Sequence, residues 1–296
     1  MGVANRDDLT WRSGLLLSCA ALLAGCATAA HSPAAGLTPG TGYVAMGSSF
    51  AAGPGVATPA DNPPTRCARS IDNYAHILAR DLNLRLTDVS CSGATTEHVL
   101  GPWRDLQPQI DALNADTRLV TITIGGNDVG FIGNLGSASC RSFPSPPLGT
   151  PGGKCPDPPR ISEASWTDLD TSMRSVASEI RRRAPTARIV FVDYLQVLPR
   201  LGTCPGVPLT AEQVEASRAT AERLAALTAR ITSETGSELF KASELSRDHD
   251  ACSAAPWVTG FPRPGGSGFI PYHPNSRGMA AIAEMLRQYL KRPRPS

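Results

Sequence analysis

The segment Leu119-Val120-Thr121-Ile122-Thr123-Ile124 is an unbroken run of apolar and β-branched residues closed by Gly125-Gly126. Such a run reads as a strand buried on both faces, the environment of a parallel sheet covered by helices. The flanking chain fits that reading. Tyr43-Val44-Ala45-Met46 is a short strand running into Gly47, and Leu84 to Val89 is a weaker one. Between them, Ile71, Tyr74, Ala75, Leu78 and Leu82 have helical spacing. Thr167 to Ala184 reads as an amphipathic helix, Arg188 to Tyr194 as another buried strand, and Leu239-Phe240 as a weak fifth strand. Thr210 to Thr235 is a long helix, with Thr210 as its cap and Gln213 placed to complete a capping box. Asn275 to Leu290 closes the chain as a helix. Strands alternating with helices predict an α/β domain, residues 42–290, built of βαβ units around a parallel sheet. Gly133 to Glu163 is rich in Gly, Pro and Ser and is expected to be one long loop of 31 residues.

The chain has 296 residues, 28 Lys+Arg against 26 Asp+Glu, and 41% hydrophobic residues, which excludes a disordered chain and argues against nucleic acid as a partner. Eight cysteines are the odd feature of the composition. The amino-terminal residues account for two of them. Leu15 to Leu23 is a largely apolar run, too short to span a hydrocarbon core, that follows Arg6 and Arg12 and ends at small residues. That is the layout of a secretory signal, although Asp7 and Asp8 are unusual in its positively charged part. Leu23-Ala24-Gly25-Cys26 resembles a bacterial lipobox. The resemblance implies that residues 1–25 are a lipoprotein signal peptide and that Cys26 carries a lipid anchoring the protein to a membrane. An ordinary signal peptide cut a few residues later, giving a secreted protein, is the alternative. Residues 26–41 are then the anchor site and a flexible tether, and residues 291–296 a disordered tail.

Six cysteines remain in the mature chain: Cys67, Cys91, Cys140, Cys155, Cys204 and Cys252. An even number outside the cytosol reads as three disulfides, for which fifteen pairings are possible. Successive pairing, Cys67-Cys91, Cys140-Cys155 and Cys204-Cys252, is expected because each pair brackets one loop-rich stretch. No CxxC or tight Cys/His cluster supports zinc, so no metal is expected.

Ligands of open parallel sheets bind beyond the carboxyl ends of the strands. Three strands here end in small polar clusters: Gly47-Ser48-Ser49-Phe50, Ser90-Cys91-Ser92-Gly93-Ala94-Thr95, and Gly125-Gly126-Asn127-Asp128. With strand order 2-1-3 the clusters are neighbours, offering a hydroxyl nucleophile, backbone N–H groups at glycine, and a side-chain amide. Those are parts of an acyl-transfer site. Pro271-Tyr272-His273-Pro274-Asn275 precedes the last helix, where a loop brings an imidazole back as the base that a serine nucleophile needs. Gly47-Ser48-Ser49-Phe50-Ala51 lacks the second glycine of a Gly-x-Ser-x-Gly elbow, which disfavours the α/β-hydrolase fold.

Taken in order, Gly47-Ser48-Ser49, Gly93 in its cluster, Gly125-Gly126-Asn127-Asp128 and His273 resemble the SGNH (GDSL-type) serine hydrolases, particularly their secreted bacterial esterases and lipases. The resemblance spans nearly the whole mature chain. It implies a three-layer αβα fold on a flavodoxin-like parallel five-stranded sheet, and no cofactor. It implies Ser49 as nucleophile and His273 as general base, with an oxyanion hole from the Ser49 N–H, the Gly93 N–H and the Asn127 amide. It also implies disulfides that run in succession. Two positions depart from the family pattern. Ser48 stands where the family has the Asp of Gly-Asp-Ser, and Ile270 stands three residues before the histidine, where the family has its acid. The Ile270 backbone carbonyl is therefore expected to orient the imidazole, with a distant carboxylate, Asp248 or Asp250, as the alternative. Trp257, Phe261, Phe269 and Tyr272 are candidates for an acyl pocket or for ordinary loop packing. The expected activity is hydrolysis of lipid or short acyl esters at the cell envelope by a monomer. A catalytically silent surface-binding lipoprotein is the alternative.

Overall fold

Five strands form one parallel sheet in the order β2-β1-β3-β4-β5: β1 Gly42–Gly47, β2 Arg85–Asp88, β3 Thr117–Thr123, β4 Arg188–Val192 and β5 Glu238–Phe240. The structure is a computed structural model that describes residues 37–56, 58–143, 154–262 and 270–293. Leu15 to Leu23, Cys26 and Phe269 lie outside the described residues. β1, β3 and β4 are almost wholly buried, as continuous apolar runs require when helices cover both faces. On one side α2 (Tyr74–Leu82) packs with α8 (Ser276–Leu290). The other helices of the sheet, α3 (Thr96–Leu100), α4 (Phe131–Arg141), α5 (Glu163–Arg183) and α6 (Ala211–Thr235), pack among themselves. The result is the three-layer α/β architecture expected. Two short helices complete the set, α1 (Ser49–Ala52) directly after β1 and α7 (Ala242–Leu245) after β5.

The helix starts follow capping chemistry. At α6 the Thr210 hydroxyl accepts the Gln213 N–H (3.2 Å) while the Gln213 amide oxygen accepts the Thr210 N–H (2.9 Å). α5 begins at Glu163, four residues before the apolar pattern suggests, because Ser162 caps it. The expected loop after residue 133 is half wrong: its first part is α4. Phe131, Leu135 and Cys140 are its buried apolar residues, and buried Ser137 and Ser139 add tertiary bonds to Pro156 O (2.7 Å) and the Tyr272 hydroxyl (2.6 Å). Composition alone hides such a helix.

The three disulfides are Cys67–Cys91, Cys140–Cys155 and Cys204–Cys252. Each closes a loop whose constraint on the unfolded chain is worth ~3–4 kcal/mol. Gly40 and Arg292, near the two ends of the described chain, lie at the amino pole of the sheet. Before β1, Gly40 N–H donates to Asn83 O (2.7 Å) and Arg85 N–H to Thr41 O (3.0 Å), so the last residues of segment 26–41 belong to the domain and are not free tether. At the other terminus Arg188, the first residue of β4, donates to the carbonyls of Leu290 (2.8 Å) and Arg292 (3.3 Å) and pairs with Glu238 (2.7 Å).

Candidate active site

The carboxyl ends of β1, β2 and β3 converge as the strand order requires. β1 ends at Gly47, whose φ of +119° is closed to most side chains, and a Cβ there would fall 2.3 Å from Thr123 O. The buried Gln109 amide clamps this turn, accepting Gly47 N–H (2.7 Å) and donating to Gly47 O (3.0 Å). Ser49 follows as the first residue of α1 and is only 7% exposed. Helix geometry leaves its N–H without an intrahelical acceptor, and among the described residues neither this N–H nor that of Gly93 has a partner. Asn127 Nδ2 donates one proton to Ala94 O (2.9 Å), which aims the amide beside Gly93 and leaves its second proton uncommitted. Asp128 ties the next segment down by accepting Thr96 N–H (3.0 Å) and Thr96 Oγ1–H (2.5 Å). Burial raises its pKa against those bonds.

The loop before α8 supplies the imidazole. His273 Nε2 lies 2.7 Å from Ser49 Oγ, and Nδ1 lies 2.7 Å from Pro271 O. A carbonyl only accepts, so Nδ1 carries the proton of the neutral ring and Nε2 is left to accept a hydrogen bond from the Ser49 hydroxyl. The expected orienting group is corrected here. The Ile270 carbonyl is not at the ring; it accepts the Thr259 hydroxyl (2.6 Å). Tyr272, at a φ of +59°, turns the chain sharply, so the carbonyl two residues before the histidine faces Nδ1 rather than the one three before it. Neither Asp248 nor Asp250 meets the imidazole; an Asp250 oxygen accepts the Cys252 N–H (2.8 Å). With no carboxylate among the described residues at the ring, burial pushes the His273 pKa down to about 4, against the opposing pull of the Pro271 carbonyl.

Several supporting residues carry no sequence signal. Thr259 Oγ1 also accepts His273 N–H (3.2 Å), joining both ends of the histidine turn. Tyr194, read as the tail of a buried strand, accepts Gly126 N–H at its hydroxyl (2.9 Å), which also lies 3.2 Å from Ser48 Oγ. Its ring occupies the space a Cβ at Gly126 would need. Tyr194 thus links the serine turn and the Asn127 turn across the position where Ser48 departs from the family. Phe50 packs between Tyr194 and His273, with ring centroids at 4.7 and 5.3 Å. Of the four candidate acyl-pocket aromatics, the three described ones make packing contacts. Tyr272 is buried against Ser139, Phe261 stacks with Phe143, and Trp257 stacks on His249. A cavity of about 580 Å³ lies between α6, α7 and Asp193 to Arg200. Of the residues described around Ser49 and His273, Tyr194 is the one that lines it. Among the described residues no group of three or more His, Cys, Asp or Glu is placed to hold a metal ion.

Residues 45–281 match the GDSL-like lipase/acylhydrolase family model. The chain belongs to that family. Lipase 2 of Streptomyces coelicolor is 35% identical over 267 residues, covering 86% of this chain and 88% of that protein. Among solved structures, phospholipase A1 of Streptomyces albidoflavus superposes with a TM-score of 0.67 at 26% identity, covering 86% of this chain and all of that one. The extracellular lipase of Streptomyces rimosus gives 0.64 at 27%, covering 84% and 99%. The protein is therefore a carboxylic ester hydrolase of that family.

Proposed function

We propose that this protein is an exported serine esterase or lipase that works through a Ser49–His273 dyad. The observation that carries the reading is the 2.7 Å contact between His273 Nε2 and Ser49 Oγ, with Nδ1 held by the Pro271 carbonyl. Ser49 Oγ attacks the ester carbonyl as His273 takes its proton. The oxyanion receives hydrogen bonds from the Ser49 and Gly93 N–H groups and the free Asn127 amide proton. His273 then protonates the departing alcohol, leaving an acyl-Ser49. Water attacks that ester by the same steps in reverse, and the acid leaves. The Pro271 carbonyl performs the tautomer-fixing part of a triad acid's role without its charge.

Three disulfides support an oxidising compartment, as does the Leu15 to Leu23 run, and Leu23-Ala24-Gly25-Cys26 supports a lipid anchor on Cys26 at the cell envelope. On this reading residues 1–25 are removed, the segment from Cys26 is a tether, residues 42–290 are the catalytic domain, and the enzyme is a monomer. The relatives' names, lipase and phospholipase A1, favour acyl esters of lipids as substrates. The test is turnover of p-nitrophenyl esters from acetyl to palmitoyl by the purified protein and by Ser49→Ala. A loss of ~10⁴-fold or more in the variant is expected. Equal rates for the two proteins, or no turnover at any chain length, would defeat the mechanism.

A further inference from the structure

One wall beside Gly93 is built from groups that this chemistry does not use. Trp103 and Leu106 exchange two backbone hydrogen bonds (3.0 and 3.1 Å) around a two-residue turn, which fixes the indole. The edge of that indole stands over Gly93: a Cβ there would lie 3.2 Å from Trp103 Cη2. The Arg66 guanidinium lies 3.7 Å from the centroid of the Trp103 ring, and Nη2 donates to Trp103 O (3.2 Å). His98 also stacks on Trp103, with ring centroids 4.1 Å apart. Arg66 and Gly93 are held together by covalent structure as well. Arg66 precedes Cys67, Gly93 follows Cys91 by two residues, and the disulfide joins the two cysteines. Ser92 N–H closes the link on Cys67 O (3.0 Å).

The charge on this wall is unspent. Arg69 is neutralised by Asp61 (2.6 Å) and Arg80 by Asp72 (2.9 Å), but Arg66, like Arg104 in the Trp103 turn, pairs with no carboxylate among the described residues. Of its five N–H donors one is used. Asp128 is engaged by Thr96, and neither Glu97 nor Asp105 makes an ion pair among the described residues. Stacking on an indole lowers the entropy lost when a guanidinium grips an anion and leaves its planar fork free for two parallel hydrogen bonds. An acyl chain carries no charge, so a cation here meets the alcohol part of an ester.

We propose that Arg66, held on Trp103, is a subsite for an anionic group, of the phosphate type, carried by the alcohol portion of the substrate close to the scissile ester. This subsite rests on the serine esterase reading above, because it is placed relative to the Gly93 N–H of the oxyanion hole. Arg66 is exposed, and its replacement leaves the core untouched.

The experiment compares kcat/KM of the full chain for monomeric 1,2-dihexanoylglycerol, its 3-phosphate and p-nitrophenyl hexanoate at low salt. Wild type should favour the phosphate ester over the neutral one by ~10-fold or more, the range of a hydrogen-bonded charge pair. Arg66→Gln should bring that ratio to within about twofold of unity while leaving p-nitrophenyl hexanoate turnover unchanged. Trp103→Leu keeps the charge but releases it, and should lose most of the same ratio. No preference in wild type, or a preference that survives Arg66→Gln, overturns the subsite while leaving the esterase intact. Failure to hydrolyse even p-nitrophenyl hexanoate would instead remove the mechanism beneath it. Dioleoyl phosphatidate vesicles supply the last arm. An Arg66 effect present on vesicles but absent with the soluble phosphate would mean general attraction to a charged surface, and the proposal would fall.

Discussion

The two halves of the Ser49–His273 pair are held in different ways. Ser49 and Asn127 stand on turns at the ends of buried parallel strands, clamped by Gln109 and Tyr194 through backbone N–H and C=O groups. His273 stands on a loop, and its position depends on one hydroxyl, that of Thr259, one carbonyl, that of Pro271, and a single bridge between Val258 and Pro274. The strand-end half is a rigid template for charge developing on oxygen. The loop half has only to deliver one nitrogen with the correct tautomer, and backbone suffices for that. On the proposed mechanism, electrostatic stabilisation falls to the first half and proton transfer to the second.

That contrast can be broken by experiment. Asn127→Ala removes an oxyanion donor from the rigid half and should lower kcat by ~10²–10³-fold with little change in KM. A change of less than tenfold would mean that this half does not bind the oxyanion. The next largest effect concerns pH. Only the neutral imidazole accepts the serine proton, so activity is lost as pH falls through the His273 pKa, about 4 rather than 6.5. At pH 5 the enzyme should be ~30-fold more active than an unperturbed histidine allows. The sign for stability is opposite in benefit: between pH 6.5 and about 4 the unfolded chain binds a proton that the folded one refuses, so stability declines as pH falls. An acid limb centred near pH 6.5 would show that a charge elsewhere holds the imidazolium. Thr259→Val unties the loop half alone and should reduce kcat by ~10-fold at unchanged KM, the worth of one or two neutral hydrogen bonds. Asp248→Asn should change kcat/KM by less than about twofold, since the residue makes no contact with the ring. A drop approaching ~10⁴-fold would restore a side-chain acid.

The rigid half was legible because its residues are consecutive with strands whose buried character shows in composition, and strand order alone makes their ends neighbours. Gly47, Ser49, Gly93 and Asn127 need no tertiary knowledge beyond that. The loop half was legible only as a histidine. Which carbonyl meets it depends on the left-handed turn at Tyr272, a residue type that rarely adopts one, so counting back from His273 points to Ile270 instead of Pro271. Tyr194 and Gln109 were hidden for a related reason: each acts at long range, on Gly126 and Gly47, and a side chain reaching across 60 or more residues leaves no local pattern. The α4 helix leaves a weak pattern because two of its five buried residues, Ser137 and Ser139, are polar and are held by tertiary hydrogen bonds.

The Arg188 clamp that gathers Leu290 and Arg292 beside the start of β4 has an architectural consequence. It puts Arg292 at the same pole as Gly40, with Ser49 at the other. One guanidinium thus knots β4, β5 and the end of α8 together at the opposite ends of the strands from the nucleophile candidate.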